Sequence, residues 1–196
     1  VEGEKGGERF LLFLARHPST AQFIAKKIAT HFVADNPPAS LVRRLAKSFE
    51  HSGGDLSSLA LTLIESPETW APNREKLKPP REWILGIARG MDGALPVERV
   101  MGALARLGQS PYTAPSPKGW SDRSEDWMGP EAVLSRLDVA ERLGRQMGKS
   151  GLVGETAVRH WLGPRVHLST LNALADTLSP AQQWALLFMS PEFQRR

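Results

Sequence analysis

From Phe10 to Phe188 the apolar residues of this chain recur every three or four positions, which is the spacing of one buried face of an α-helix. Ala21, Ile24, Ala25, Ile28, Ala29 and Phe32 form the clearest early stripe, after a first apolar run from Phe10 to Ala15. Leu41, Val42, Leu45 and Phe49 make the next, followed by Leu56, Leu59, Leu63 and Ile64. Further along come Trp83, Ile84, Ile87, Ala88 and Met91, then Val97, Val100, Met101, Leu104 and Leu107. Val133, Leu134, Leu137, Ala140, Leu143 and Met147 mark a longer helix, and Leu168 to Leu178 and Trp184 to Phe188 the last two. No stretch alternates apolar and polar residues as a half-buried strand does. The pattern predicts an all-α, compact multi-helix fold.

The punctuation agrees with the periodicity. Asp35-Asn36-Pro37-Pro38 and Ser52-Gly53-Gly54 stop helices, and Asp55 is placed to cap the one that follows. Gly129-Pro130-Glu131 opens a helix with proline at its first position, and Ser179-Pro180-Ala181-Gln182 reads as a capping box. An apolar helix ends in Ser-Pro-Glu plus a bulky residue twice, within Leu61 to Trp70 and within Trp184 to Gln194. Two helices using the same stop-and-restart chemistry account for this echo, with an old duplication as the alternative. At 196 residues the chain can bury one good core, so a single helical domain over 1–196 is expected.

The longest irregular stretch runs from Gly108 to Asp122 and holds Pro111, Pro115 and Pro117, with Tyr112 and Trp120 near its ends. Proline fixes φ and removes a backbone donor, so this loop is stiff. It serves either as a strap packed on the helices or as a surface for a ligand. Gln109, Tyr112, Trp120 and nearby Trp127 are the candidate binding residues of the second reading, and pinning of the loop is favoured for Trp120 and Trp127.

Most catalytic chemistries are missing. The chain has no cysteine, which removes disulfides, thiolate metal sites and a cysteine nucleophile. His17, His31, His51, His160 and His167 lie too far apart in sequence for a metal-ligand pair, so no metal or other cofactor is expected. No Gly-x-Ser-x-Gly is present, and the Ser-Pro pairs read as caps. Gly144, Gly148, Gly151 and Gly154 are well separated along a helix end and lack the lysine-threonine pair and the preceding strand of a phosphate-binding loop. Glu125 and Asp126 beside Trp127 resemble a glycosidase acid on an aromatic platform, yet adjacent carboxylates rarely face one bond. His17, His31 and Asp35 remain the catalytic candidates. Helix-end stabilisation by His31 and a junction role for His17, placed before Pro18, are their structural alternatives.

The net charge is +4, but lysines and arginines are interleaved with acids along several helices, which argues against a nucleic-acid face. No run approaches the length of a membrane span. The first residues are charged and glycine-rich and lack a starting Met, so the chain reads as the later part of a longer protein.

At LARHPSTAQFIAKKIATHFVADNPP, GDLSSLALTLIESPETW, GQSPYTAPSPKGWSD and SPEFQRR the chain resembles the bacterial domain-of-unknown-function 1800 family, matching the C-terminal part of its longer domain. The shared motif positions are His17, Pro18, Thr20, Phe32, Asp35, Gln109, Pro111, Pro115, Pro117, Gly119 and Trp120, and the resemblance assigns none of them a role. It implies an exported or periplasmic protein, encoded beside another export-associated family, with a cytoplasmic location as the alternative. The expectation is therefore an interaction or structural module with a protein partner encoded nearby. The alternative is an enzyme or carbohydrate-binding module using the Trp120 loop and the His17 junction.

Overall fold

The computed structural model describes residues 3–71, 76–151, 153–164, 166–177 and 179–196. It is all-α, and among these residues the only β-type pairing is an isolated antiparallel bridge between Leu77 and Arg195. The chain forms two compact units, Val1–Lys76 and Leu77–Arg196.

The first unit contains α1 (Gly3–Ala15), α2 (Pro18–Phe32), α3 (Ala39–His51) and α4 (Leu56–Glu65). Ala21, Ala25 and Ala29 lie one turn apart on α2 and are fully buried, and these small side chains let α3 come close. Leu41, Leu45, Ala46 and Phe49 of α3 and Leu59 and Leu63 of α4 complete this core. Asp55 caps α4 as expected, its Oδ2 accepting the Ser58 N–H at 2.7 Å. Other expected core positions face solvent instead. Phe32, Leu56 and Ile64 are all more than half exposed, and α1 buries no residue at all.

The second unit contains α5 (Pro80–Gly90), α6 (Val97–Arg106), α7 (Pro130–Met147), α8 (Glu155–Leu162), α9 (Leu168–Ala175), α10 (Pro180–Met189) and α11 (Pro191–Gln194). Trp83, Ile84 and Ile87 of α5, Val139, Ala140 and Leu143 of α7 and Leu187 and Phe188 of α10 form its centre. The Trp83 indole N–H donates to the Phe188 carbonyl at 3.0 Å, satisfying its one polar atom inside the core. α7 and α10 meet through Gly144 and Gly148, where a Cβ on Gly144 would stand 2.3 Å from the Ala181 carbonyl oxygen. These two glycines are thus spacers for the α10 backbone. The inward face of α7 is also rotated from the expected one: Leu134 and Leu137 are exposed, while Arg136 and Val139 are buried. Val97 and Met101 of α6 are likewise exposed, leaving Leu104 as that helix's buried residue.

Arg136 is 2% exposed and donates to Gln194 Oε1 at 2.5 Å and to the Lys78 carbonyl at 2.8 Å, with its guanidinium 5.4 Å from the Trp83 ring centre. Burial lowers its pKa to about 10, so it stays charged at neutral pH and anchors the C-terminal SPEFQRR segment to α5 and α7.

The Ser-Pro-Glu echo has one physical basis in both units. After α4, Glu68 accepts from Ser40 Oγ at 3.0 Å and, through both oxygens, from Arg44 of α3 at 2.8 and 3.2 Å. After α10, Glu192 accepts from the His167 N–H at 2.8 Å and from Thr170 Oγ1 at 3.0 Å, at the start of α9. Each glutamate ties its restart to the beginning of an earlier helix. The serines differ: Ser190 accepts from the Phe193 N–H, Ser66 instead donates to the Thr62 carbonyl, and Ser179 makes no capping bond with α10.

Candidate functional site

His17, His31 and Asp35 each make structural contacts. His17 is the N-cap of α2, with extended backbone at φ −69° and ψ 136°, as the following Pro18 favours, and its Nδ1 accepts the Ser19 N–H at 3.1 Å. Thr20 Oγ1 reaches back to the Leu14 carbonyl at 2.7 Å and fixes the turn between α1 and α2. His31 lies in the last turn of α2, edge-on to Phe32 at 4.6 Å between ring centres. The Asp35 carboxylate holds Lys76 Nζ at 2.5 Å. Lys76 is 1% exposed, and a lysine so buried requires such a partner. An open groove of about 470 Å3 beside His17 is lined by Arg9, Leu12, Phe13, Arg16, His17 and Pro18, and neither His31 nor Asp35 enters it.

The proline loop divides into pinned ends and an open middle. Gln109 is 7% exposed and its Oε1 accepts the Arg81 N–H at 2.7 Å, filling a free donor at the start of α5. Beyond the loop's far end, Ser124 Oγ accepts the Leu77 N–H at 3.2 Å. Trp120 and Trp127 are half-buried with ring centres 6.2 Å apart, and the Trp127 indole donates to the Ser121 carbonyl at 3.0 Å. Between these anchors Tyr112 through Lys118 are exposed. Tyr112 is the extreme case, fully in solvent with φ at +61°, a left-handed conformation that costs a bulky residue energy. Gln109 is thus bonded to the start of α5 and Trp127 to the loop's own end, while Tyr112 lies in solvent.

No group of three His, Asp or Glu that could hold a metal occurs among the described residues. Among the same residues no helix is long and apolar enough to cross a membrane.

The feature missed by periodicity alone lies in α1. Phe10, Leu11, Leu12, Phe13 and Leu14 are 60, 66, 53, 61 and 42% exposed. At 100° per residue, Phe10, Phe13, Leu14 and Leu11 share one side of this helix, while Glu4, Glu8, Lys5 and Arg9 occupy the other with Leu12. An apolar face this continuous, with a charged back, is the make-up of a helix whose apolar side packs on other protein. Its five consecutive large apolar residues were the available signal, but they read equally as core.

The fold and surface together define an all-helical protein with an uncovered amphipathic helix. By its sequence the chain belongs to the protein family of unknown function DUF1800, whose model matches residues 1–195. No curated protein and no solved structure matches it.

Proposed function

We propose that this chain is an interaction module of an exported protein pair or assembly, and that α1 is its docking face. The observation that carries the reading is the exposure of Phe10, Leu11, Phe13 and Leu14 on one side of a formed helix. Each such side chain gains about 1.5–3 kcal/mol when fully removed from water, so leaving four of them open is costly unless other protein covers them. The mixed charges on the back of α1 favour a protein over an anionic membrane, which selects a uniformly basic face. The family resemblance supplies the partner to test, the product of the neighbouring export-associated gene.

The test is co-expression of the two proteins followed by size-exclusion chromatography with mass measurement. The wild-type pair should co-elute, and Phe10→Asp with Phe13→Asp should separate it by at least about a hundredfold in affinity, the scale of a lost central anchor. Absence of any association, together with a thermal shift of the chain by small sugars or peptides, would replace this reading with the small-ligand one.

A further inference from the structure

α5 carries a second surface that is independent of α1. Its buried side places Trp83, Ile84 and Ile87 in the core of the second unit. Its outer side carries Arg81, Leu85 and Arg89 at successive intervals of four residues, so the Cα atoms of the two arginines stand about 12 Å apart along the axis with a leucine midway. With Lys78, Glu82 and Gly86 they line an open groove of about 520 Å3.

The charge of this groove is unbalanced. Its one acid, Glu82, is bound by Arg196, and the Lys78 ammonium is held by the Phe193 carbonyl at 2.7 Å and sits 4.6 Å over the Phe193 ring. Arg81 and Arg89 are exposed and have no acidic partner among the described residues. The floor between them is apolar and low: Leu85 is 37% exposed, and at Gly86 a Cβ would meet only the end of the Phe193 ring, at 3.5 Å.

We propose that this groove binds an acidic amphipathic helix of a protein partner, one with carboxylates seven or eight residues apart and an apolar residue midway. The two arginines would each take a carboxylate, and Leu85 with the open strip over Gly86 would take the apolar side chain. An acidic helix matches both features. A phosphate backbone would use the arginines and leave the leucine idle, which makes the protein ligand the better fit.

The experiment is fluorescence polarisation at low salt with a labelled helical peptide carrying Glu at positions i and i+8 and Leu at i+4. A charge-scrambled peptide and a single-stranded oligonucleotide serve as comparisons. Saturable binding of the first peptide is expected, weakened tenfold or more by Arg81→Glu with Arg89→Glu, by Leu85→Asp, and by raised salt. The arginine double variant should regain affinity for a matching peptide with Lys in place of Glu, which a merely damaged protein would not do. All the altered side chains are exposed, and unchanged circular dichroism and melting temperature verify the fold. The proposal is overturned if the designed peptide does not saturate, if the arginine variants bind it normally, or if the oligonucleotide binds more tightly through the same arginines. Phe10→Asp should leave this binding unchanged, so failure here and failure of the α1 reading are separate results.

Discussion

Gly144→Ala is the sharpest test of how the second unit is packed. The added methyl would lie 2.3 Å from the Ala181 carbonyl oxygen, 3.0 Å from the Ala185 nitrogen and 3.3 Å from the Ala185 Cβ, where ordinary contact needs 3.4–4 Å. The obstructing atoms are mainly backbone, so no rotamer change relieves the clash, and α10 must move away by about 1 Å. That shift loosens Ala140, Leu143, Trp184 and Phe188 together, placing the cost near the top of the roughly 1–3 kcal/mol seen for overpacked cores. Better helix propensity returns about 1 kcal/mol, leaving a net loss of about 2 kcal/mol. Gly102→Ala in the middle of α6 is the matched control, because nothing lies within 4 Å of its added methyl; propensity alone should then stabilise by up to about 1 kcal/mol. Urea unfolding followed by tryptophan fluorescence reads both, with a fall of about 1 M in midpoint for Gly144→Ala and a rise for Gly102→Ala. Equal or greater stability of Gly144→Ala would refute the close approach of α7 and α10.

Arg136→Ala leaves the Lys78 carbonyl and Gln194 Oε1 without their buried donor, and a loss of about 2–4 kcal/mol is expected in the same assay. The hydrogen bonds from Arg44 hold the Glu68 carboxyl at a pKa of about 2 against an ordinary 4.5. A depressed acid contributes stability above its unfolded pKa and loses it as pH falls through the folded one. Wild type should therefore lose more stability than Glu68→Gln between pH 4.5 and pH 2, as read by urea midpoints across that window. Tyr112→Ala should change stability by less than about 0.5 kcal/mol in thermal melts, because the side chain touches only solvent.

Helices were legible because periodicity and punctuation are local properties. The stops at Asp35–Pro38 and Gly53–Gly54, the Asp55 cap and the extended His17 before Pro18 all follow from residues within a turn of one another. Which side of a helix faces inward was less legible where a distant partner decides it. Arg136 turns inward because the carbonyl of Lys78 and the side chain of Gln194 need a donor, and this moves Leu134 and Leu137 outward. Gly144 and Gly148 do lie at the end of α7, and what the sequence left unmarked is that they also space that end against a backbone some 35 residues later. The hydrogen bond from the Arg81 N–H to Gln109 was likewise unmarked, because its two partners stand 28 residues apart. The α1 surface was the least legible of all, since Phe and Leu carry no mark of whether their own chain or another one covers them.

The central claim is that α1 receives a partner protein, and hydrogen–deuterium exchange tests it most directly. The amides from Phe10 to Ala15 belong to a helix with no buried side chains, so in the isolated chain they should exchange faster than those of the buried stripe of α2. In complex with the neighbouring gene's product they should become strongly protected. A complex that forms while exchange across Phe10 to Ala15 stays unchanged would contradict the assignment of α1 as the docking face.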